Sequence, residues 1–393
     1  MGKKYHLSSV LLLLAIYAVG CSGADLQTSN DDGDSSTATY RITEVLVENH
    51  NTYQLVNDTY PLSTGDLWPC AWGDDNRLYT ANGDGVGFGL TPSDIVFDIV
   101  DGEPPHLAGS SPPEAFGNNL AGLWGDSTEL SRKPTGLTCV DGNLYLFFQN
   151  LKTPQSDNPY GDAPYASISV SYDHGLTWEY DASAPMFADH IFTTGFFLDY
   201  GKCQENAIDD YVYVYGLDYN WRYADGFDQT KMFLARVNRE RIMERPAWEF
   251  FAGSETDGPA WSPDIDQKVP VLEDDHIYAD GKSGISQGSV IYIPQLDRYL
   301  YSTRAWTIWI FHEAEHPWGP WTKVSVVSWN PDWTAGYHPG YPVIIPTKFL
   351  DDDGLGGWIV SSMPRGRLDD LFYNMGFRRF WLTVAKKFTE AQP

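Results

Sequence analysis

Leu67–Phe88 reads LWPCAWGDDNRLYTANGDGVGF: a short strand, an Asp/Gly/Asn turn, an aromatic strand and a polar exit. The plan returns four more times. It recurs at Gly136–Asn150 (GLTCVDGNLYLFFQN), turning at Val140–Asn143, and at Lys202–Asp218, turning at Ile208–Asp210 into YVYVYGLD. A fourth copy is Gly288–Trp306, turning at Pro294–Asp297 into RYLYSTRAW, and a fifth is Tyr341–Pro364, turning at Asp351–Gly357. β-Branched and aromatic residues fill the strands while Gly, Asp, Asn and Pro take the turns, so propensity and repeat agree. Loose repeats of this kind are what a radial array of four-stranded blades leaves in sequence, and the reading is an all-β, five-bladed β-propeller. Inner strands are expected near Cys70, Cys139, Glu205, Val290 and Ile344, with closure by a terminal strand such as Tyr40–Val47 or Phe377–Val384, because an open edge invites aggregation.

At 393 residues, with 42% apolar and 15% aromatic content, the chain can bury a large core. No low-complexity break separates the repeats, so residues 40–393 read as one domain. A net charge of −27 repels phosphate backbones, so no nucleic acid is expected as a partner. Lys3 and Lys4 precede an apolar run from Val10 to Val19 that is shorter than a membrane span. Ala18-Val19-Gly20-Cys21 resembles a bacterial lipoprotein cleavage box, which implies a signal peptide over 1–21 and lipidation at Cys21. Residues 22–39, rich in Ser, Thr, Asp and Gly, then form a flexible tether. The expected location is the bacterial cell envelope, with simple secretion as the alternative and the lipid as the sole membrane contact. Cys70, Cys139 and Cys203 fall on expected first strands and read as buried thiols, though neighbouring inner strands could pair two of them.

SYDHGLTW at Ser171–Trp178 resembles the Asp box of sialidases and related propellers. Its chemistry is that of a turn: Asp173 accepts backbone N–H groups, Gly175 takes positive φ and Trp178 packs the hairpin down. In a propeller the inner strand starts, and the second strand ends, on one face, so residues at those points converge on the axial mouth. That rule selects Asp66 and Asp84 from the first repeat and sends Asp74 and Asp75 to the far side. Two carboxylates in one cleft can protonate a leaving oxygen and activate water or attack an anomeric carbon. The same rule selects Lys133, Gln149, Lys202, Asp218, Gln287, Arg304, Tyr337, His338 and Arg365 as substrate-binding residues, with Trp68, Trp306, Trp333 and Tyr337 as sugar platforms. Glu205 is a third carboxylate candidate. No cofactor or metal ligand set is implied, and a structural cation in the axial channel is left open.

The blade-one pattern of Asp66, Trp68-Pro69, Trp72, a turn, Leu78-Tyr79 and Gly83-Asp84-Gly85 resembles a propeller family long known only as a domain of unknown function. Some members of that family are endo-D-arabinanases (glycoside hydrolase family 183). DYGK at Asp199–Lys202, YVYVYG at Tyr211–Gly216, ARVNRERIMERPAWEFFAG at Ala235–Gly253 and HPWGPWTKV at His316–Val324 extend the likeness. The family's paired aspartates fall on Asp66 and Asp84, while GDG stands where many members have Gly-Asp-Thr. The resemblance implies a glycoside hydrolase acting on a furanoside-containing polysaccharide such as D-arabinan, and with the N-terminal signal segment the expectation is an exported enzyme, taken to be a monomer. A non-catalytic carbohydrate-binding propeller is the alternative. A sialidase-like exo-glycosidase is a third, drawing on the Asp box and on YRIT at Tyr40–Thr43.

Overall fold

Between the strands Cys70–Trp72 and Leu78–Gly87 the chain reverses through Asn76, whose positive φ of 68° suits a short polar side chain, and the Gly73 amide closes the turn on the Arg77 carbonyl at 2.9 Å. The same arrangement of strand, tight polar turn and strand builds the rest of the molecule. The computed structural model describes residues 39–48, 53–54, 63–153, 161–220, 229–255, 258–278, 281–305, 308–328, 340–363 and 374–387. Helical residues among these are confined to short 3-10 turns such as Lys202–Gln204, and the fold is all-β.

The described strands form five antiparallel arrays within a compact unit spanning Ala38–Pro393. The first pairs Thr64–Asp66 and Cys70–Trp72 with Leu78–Gly87, followed by Ser93–Glu103 and His106–Ser110. The second is Leu130–Val140, Asn143–Lys152 and Tyr165–Ser171. The third starts at Thr194–Asp199 and runs outward through Tyr211–Leu217, Lys231–Asn238, Glu249–Glu255 and Gly258–Ser262. Ser289–Ile293, Arg298–Arg304, Ile308–Ala314 and Thr322–Ser328 make the fourth. A short parallel pairing, Leu198 to Val290 and Asp199 to Ile291, joins the third and fourth into one sheet. In the fifth, Tyr341–Ile344, Gly356–Met363 and Asn374–Lys387 are completed by the N-terminal strand Thr39–Val47. Both expected terminal segments therefore take part in closure, paired with each other in antiparallel register from Thr39–Lys387 to Val47–Phe380.

Side chains of successive strand residues face opposite neighbours, and on inner strands such as Asn143–Lys152, Tyr211–Leu217 and Arg298–Arg304 both faces are covered. Phe148 packs toward Phe97 of the first array while Phe147 packs toward Phe197 of the third. Phe196 and Tyr215 meet Val290 and Tyr301, Ile291 and Trp309 meet Val343 and Phe380, and Val360 and Phe377 return to Trp68 and Leu78. Each such ring or branched side chain removed from water contributes roughly 1.5–3 kcal/mol.

Two sequence expectations need correction. The inner strand of the third array is Thr194–Asp199, and Glu205 follows the Lys202–Gln204 turn that comes after it. The apolar run Phe196-Phe197-Leu198 is the better strand former; Lys202, Glu205 and Asn206 are polar and lie where the chain reverses. Nor are the three cysteines all thiols: Cys139, near the end of Leu130–Val140, is bonded to Cys203 in that turn, with their Cα atoms 4.3 Å apart. Cys70 is free and buried; burial pushes its thiol up to about 12, and its Sγ donates to the Trp68 carbonyl at 3.3 Å.

Candidate active site

The inner strand of the first array is broken in two. Thr64–Asp66 pairs with the far part of Leu78–Gly87, placing Asp66 opposite Gly83, and Cys70–Trp72 pairs with the near part. Between them Leu67 (φ 78°) and Trp68 (φ 45°) are both left-handed, a conformation costing about 1–2 kcal/mol per residue. The surroundings hold it. The Trp68 amide donates to the Asp66 carbonyl at 3.1 Å, its indole N–H to the Gly65 carbonyl at 2.9 Å, and the Leu67 amide to Ser362 Oγ at 3.2 Å. The Trp68 ring is wholly buried beside Phe88, so it anchors this kink and offers no face to a sugar, contrary to the expectation from sequence.

The kink delivers Asp66 into a buried position where the Tyr341 hydroxyl donates to Oδ2 at 3.1 Å. The other oxygen, Oδ1, is buried and accepts no hydrogen bond from the described residues. It faces Gly83, where a Cβ would lie 2.6 Å from it. Burial pushes the Asp66 carboxyl up to about 6, and the charge of Asp84 adds to the rise. Lys133, the Tyr341 hydrogen bond and Arg304 oppose it. Asp84, at a positive φ of 52° between two glycines, leaves its side chain 46% exposed and ion-pairs with Lys133, whose side chain is only 5% exposed. The Arg304 guanidinium lies over the Tyr341 ring, 4.4 Å from its centroid.

Asp66, Asp84, Lys133 and Arg304 thus gather at one place, from the first, second and fourth arrays. Of the other expected rim residues among those described, Gln149, Gln287 and Asp218 are engaged by the scaffold. Gln149, paired in register with Lys133, accepts from Thr194 Oγ1 at 2.7 Å and donates to Asn220 at 3.3 Å. Gln287 donates to the carbonyls of Pro134 and Thr135 at 3.3 and 3.1 Å. Asp218 accepts from the Phe192 amide at 2.8 Å and ion-pairs with Lys268 at 3.2 Å. Lys202 is misplaced by the sequence reading: it lies in the turn beside the Cys139–Cys203 bond, at the opposite end of the strands from Lys133. Tyr337, His338, Arg365, Trp306, Trp333 and Cys21 lie outside the described residues.

Tyr341 was missed. The signal was its place as the first residue of the fifth repeat; the sequence reading stopped at Tyr337 and His338 just before it. The Ser171–Trp178 turn sits at the far end, tied to the first array by a 2.8 Å contact of His174 with Asp74. There Asp173 accepts from Thr177 N (2.8 Å), Thr177 Oγ1 (2.6 Å) and Ser171 Oγ (2.9 Å), and the Trp178 indole donates to the Gly175 carbonyl at 3.1 Å. Among the described residues no group of three or more His, Cys, Asp or Glu side chains is placed to hold a metal ion.

Among solved structures the chain is similar to a Bacteroides ovatus protein described provisionally as a hydrolase, with 13% identity over 89% of this chain and 95% of that one and a TM-score of 0.52, a likeness of fold. Looser likenesses are to a GH43_1 enzyme of Xanthomonas citri (13% identity, 85% and 90% covered, TM-score 0.47). The catalytic domain of a GH62 α-L-arabinofuranosidase from Coprinopsis cinerea is likewise similar (10%, 87% and 98%, TM-score 0.45). No curated protein sequence matches the chain. Residues 58–362, more than three quarters of the chain and the whole of the Asp66–Lys133–Tyr341 cluster, match the domain of unknown function DUF4185, and the chain belongs to that family.

Proposed function

We propose that the chain is an exported glycoside hydrolase on a five-bladed propeller, acting on a polysaccharide built of furanosides, D-arabinan-like in kind. One observation carries the chemistry: two carboxylates share a mouth but not an environment. Asp66 is buried on a tyrosine hydroxyl with its carboxyl raised to about 6, while Asp84 is half exposed on a lysine. Two such unlike carboxyls divide into proton donor and charged partner. Asp66 gives its proton to the glycosidic oxygen as the C–O bond breaks. Asp84 serves the anomeric carbon, either taking a proton from the water that adds there or attacking directly, and the anomeric form of the first product separates these courses.

The substrate class rests on the endo-D-arabinanase resemblance around Asp66–Asp84. The five arrays, each packed on the next and the fifth on the first, support five blades. Export is supported by the Cys139–Cys203 bond, since disulfides persist in oxidising compartments. Lipidation at Cys21 then holds the monomeric enzyme at the envelope, and Cys21→Ala should release it from membranes; a variant as firmly bound as wild type overturns the anchor.

The deciding experiment is arabinan hydrolysis by Asp66→Asn and Asp84→Asn. Each should lose at least about a hundredfold in kcat while remaining folded. Wild-type rates in both would end the enzyme reading. A wild type that binds glycan without cleaving it, and binds less well as Asp66→Asn, would favour the carbohydrate-binding alternative.

A further inference from the structure

Lys133 reaches the mouth from the second array, not from the array that carries the two aspartates. Its side chain is 5% exposed, so its ammonium is withdrawn from water and needs an anion; Asp84 supplies it. A buried ammonium left without such a partner is strongly unfavourable. Gly83, next to Asp84 on the same strand and paired with Asp66 in register, lets the lysine pass: a Cβ there would stand 3.1 Å from Lys133 Cδ and 2.6 Å from Asp66 Oδ1. Asp66 is held differently, by the Tyr341 hydroxyl at 3.1 Å, and Lys133 acts on it through space. The charged and titratable groups facing Asp66 are Lys133 from the second array, Asp84 from its own, Arg304 from the fourth and Tyr341 from the fifth.

We propose that Lys133 is a positioning residue that divides the labour of the two aspartates: it clamps Asp84 as the fixed anion of the mouth and leaves Asp66, held by Tyr341, as the proton donor. This rests on the hydrolase reading for the roles, but the clamp is a property of the protein without substrate. It also replaces the expectation that Lys133 binds sugar, because its ammonium is already engaged by Asp84 beneath the surface. A substrate hydroxyl meets the exposed side of Asp84 instead.

The two carboxyls stand on neighbouring segments of one array, and without the lysine the charge of Asp84 would act on Asp66 unopposed from that side. With it, one carboxylate is neutralised by a fixed cation. The other stays in a dry pocket where its neutral form is favoured.

The test follows the Asp66 carboxyl by carbon-13 NMR in the full chain without substrate, the signal being assigned by its absence in Asp66→Asn. In Lys133→Met the Asp66 midpoint should rise by about one unit or more, since an opposing cation is lost. In Asp84→Asn it should fall, because a repelling charge is lost and Lys133 is released toward Asp66. An unmoved midpoint in folded Lys133→Met overturns the proposal. Should that variant fail to fold, Asp84→Asn decides, and a midpoint that stays or rises there is the overturning result. On arabinan, Lys133→Met should lose about tenfold or more in kcat, with its pH limb displaced upward and KM little changed, and Lys133→Arg should recover part of the loss. If the midpoints move as stated but wild type cleaves no glycan, the hydrolase reading falls and the clamp stands.

Discussion

The hydroxyl of Tyr341 donates to Asp66 across a sequence separation of 275 residues, so the fifth array holds the buried carboxyl of the first. The bond favours the charged form of Asp66, and its loss in Tyr341→Phe should raise the carboxyl further above about 6. Hydrolysis that needs Asp66 protonated declines as pH rises through that value, so the wild type should lose activity above about pH 6 and the variant only at higher pH. At pH 5 the variant should be slower by roughly tenfold, because the donor is no longer oriented. A pH profile of kcat/KM with unchanged limbs would contradict this.

Gly83→Ala probes the space between the aspartates. Its Cβ would meet Asp66 Oδ1 at 2.6 Å, well inside contact distance, so either the carboxyl or the strand must shift. Overpacking of this kind costs about 1–3 kcal/mol. Turnover should fall more than tenfold while substrate-independent unfolding in urea shifts only by that amount; full activity would mean that the mouth is looser than its geometry.

The Cys139–Cys203 bond spans a sequence separation of 64 and ties the second and third arrays at the end remote from Asp66. Cys139→Ser should lower stability by roughly 2–4 kcal/mol in denaturant titration. Adding reductant to the wild type should reproduce the loss, and arabinan turnover in native buffer should not change. A fall in kcat without a fall in stability would place the bridge nearer the chemistry than it stands.

Asp173→Asn tests the turn at that same remote end. Burial raises the Asp173 carboxyl, but hydrogen bonds from Thr177, Ser171 and the Leu176 amide outweigh it and the net shift is downward. A depressed carboxylate contributes stability above its ordinary value of 3.8, lost as pH falls through the lower folded value. The variant should lose about 1–2 kcal/mol near neutrality, its acid unfolding should be shallower, and its turnover should be spared. Impaired catalysis at unchanged stability would be the contrary result.

How legible the site was in sequence depended on how local its signals were. Asp66 and Asp84 flank one hairpin, so a turn at Gly73–Arg77 was enough to put them together. Lys133 and Gln149 likewise face each other across a tight hairpin. The third repeat failed because its visible half, YVYVYG, is the second strand; the chain between it and Thr194–Asp199 forms a 3-10 turn that a hairpin template reads as strand. The Tyr341–Asp66 bond and the disulfide join segments far apart in the chain, and no local pattern specifies either. Trp68 was misjudged for another reason: being next to the mouth in sequence does not keep a side chain there when two left-handed residues turn it into the core.

Pairing of Thr39–Val47 with the last described strand has a consequence for how the molecule is made. A loop nearly as long as the chain must close before that pairing forms, and its entropic cost is met only by the cooperative docking of everything between. A folding chain therefore carries an unmatched Thr39–Val47 strand until Asn374–Lys387 is available to pair with it. Tyr341 belongs to that same fifth array, so the hydrogen bond that holds Asp66 depends on a part of the fold whose edge strand comes from the other end of the described chain.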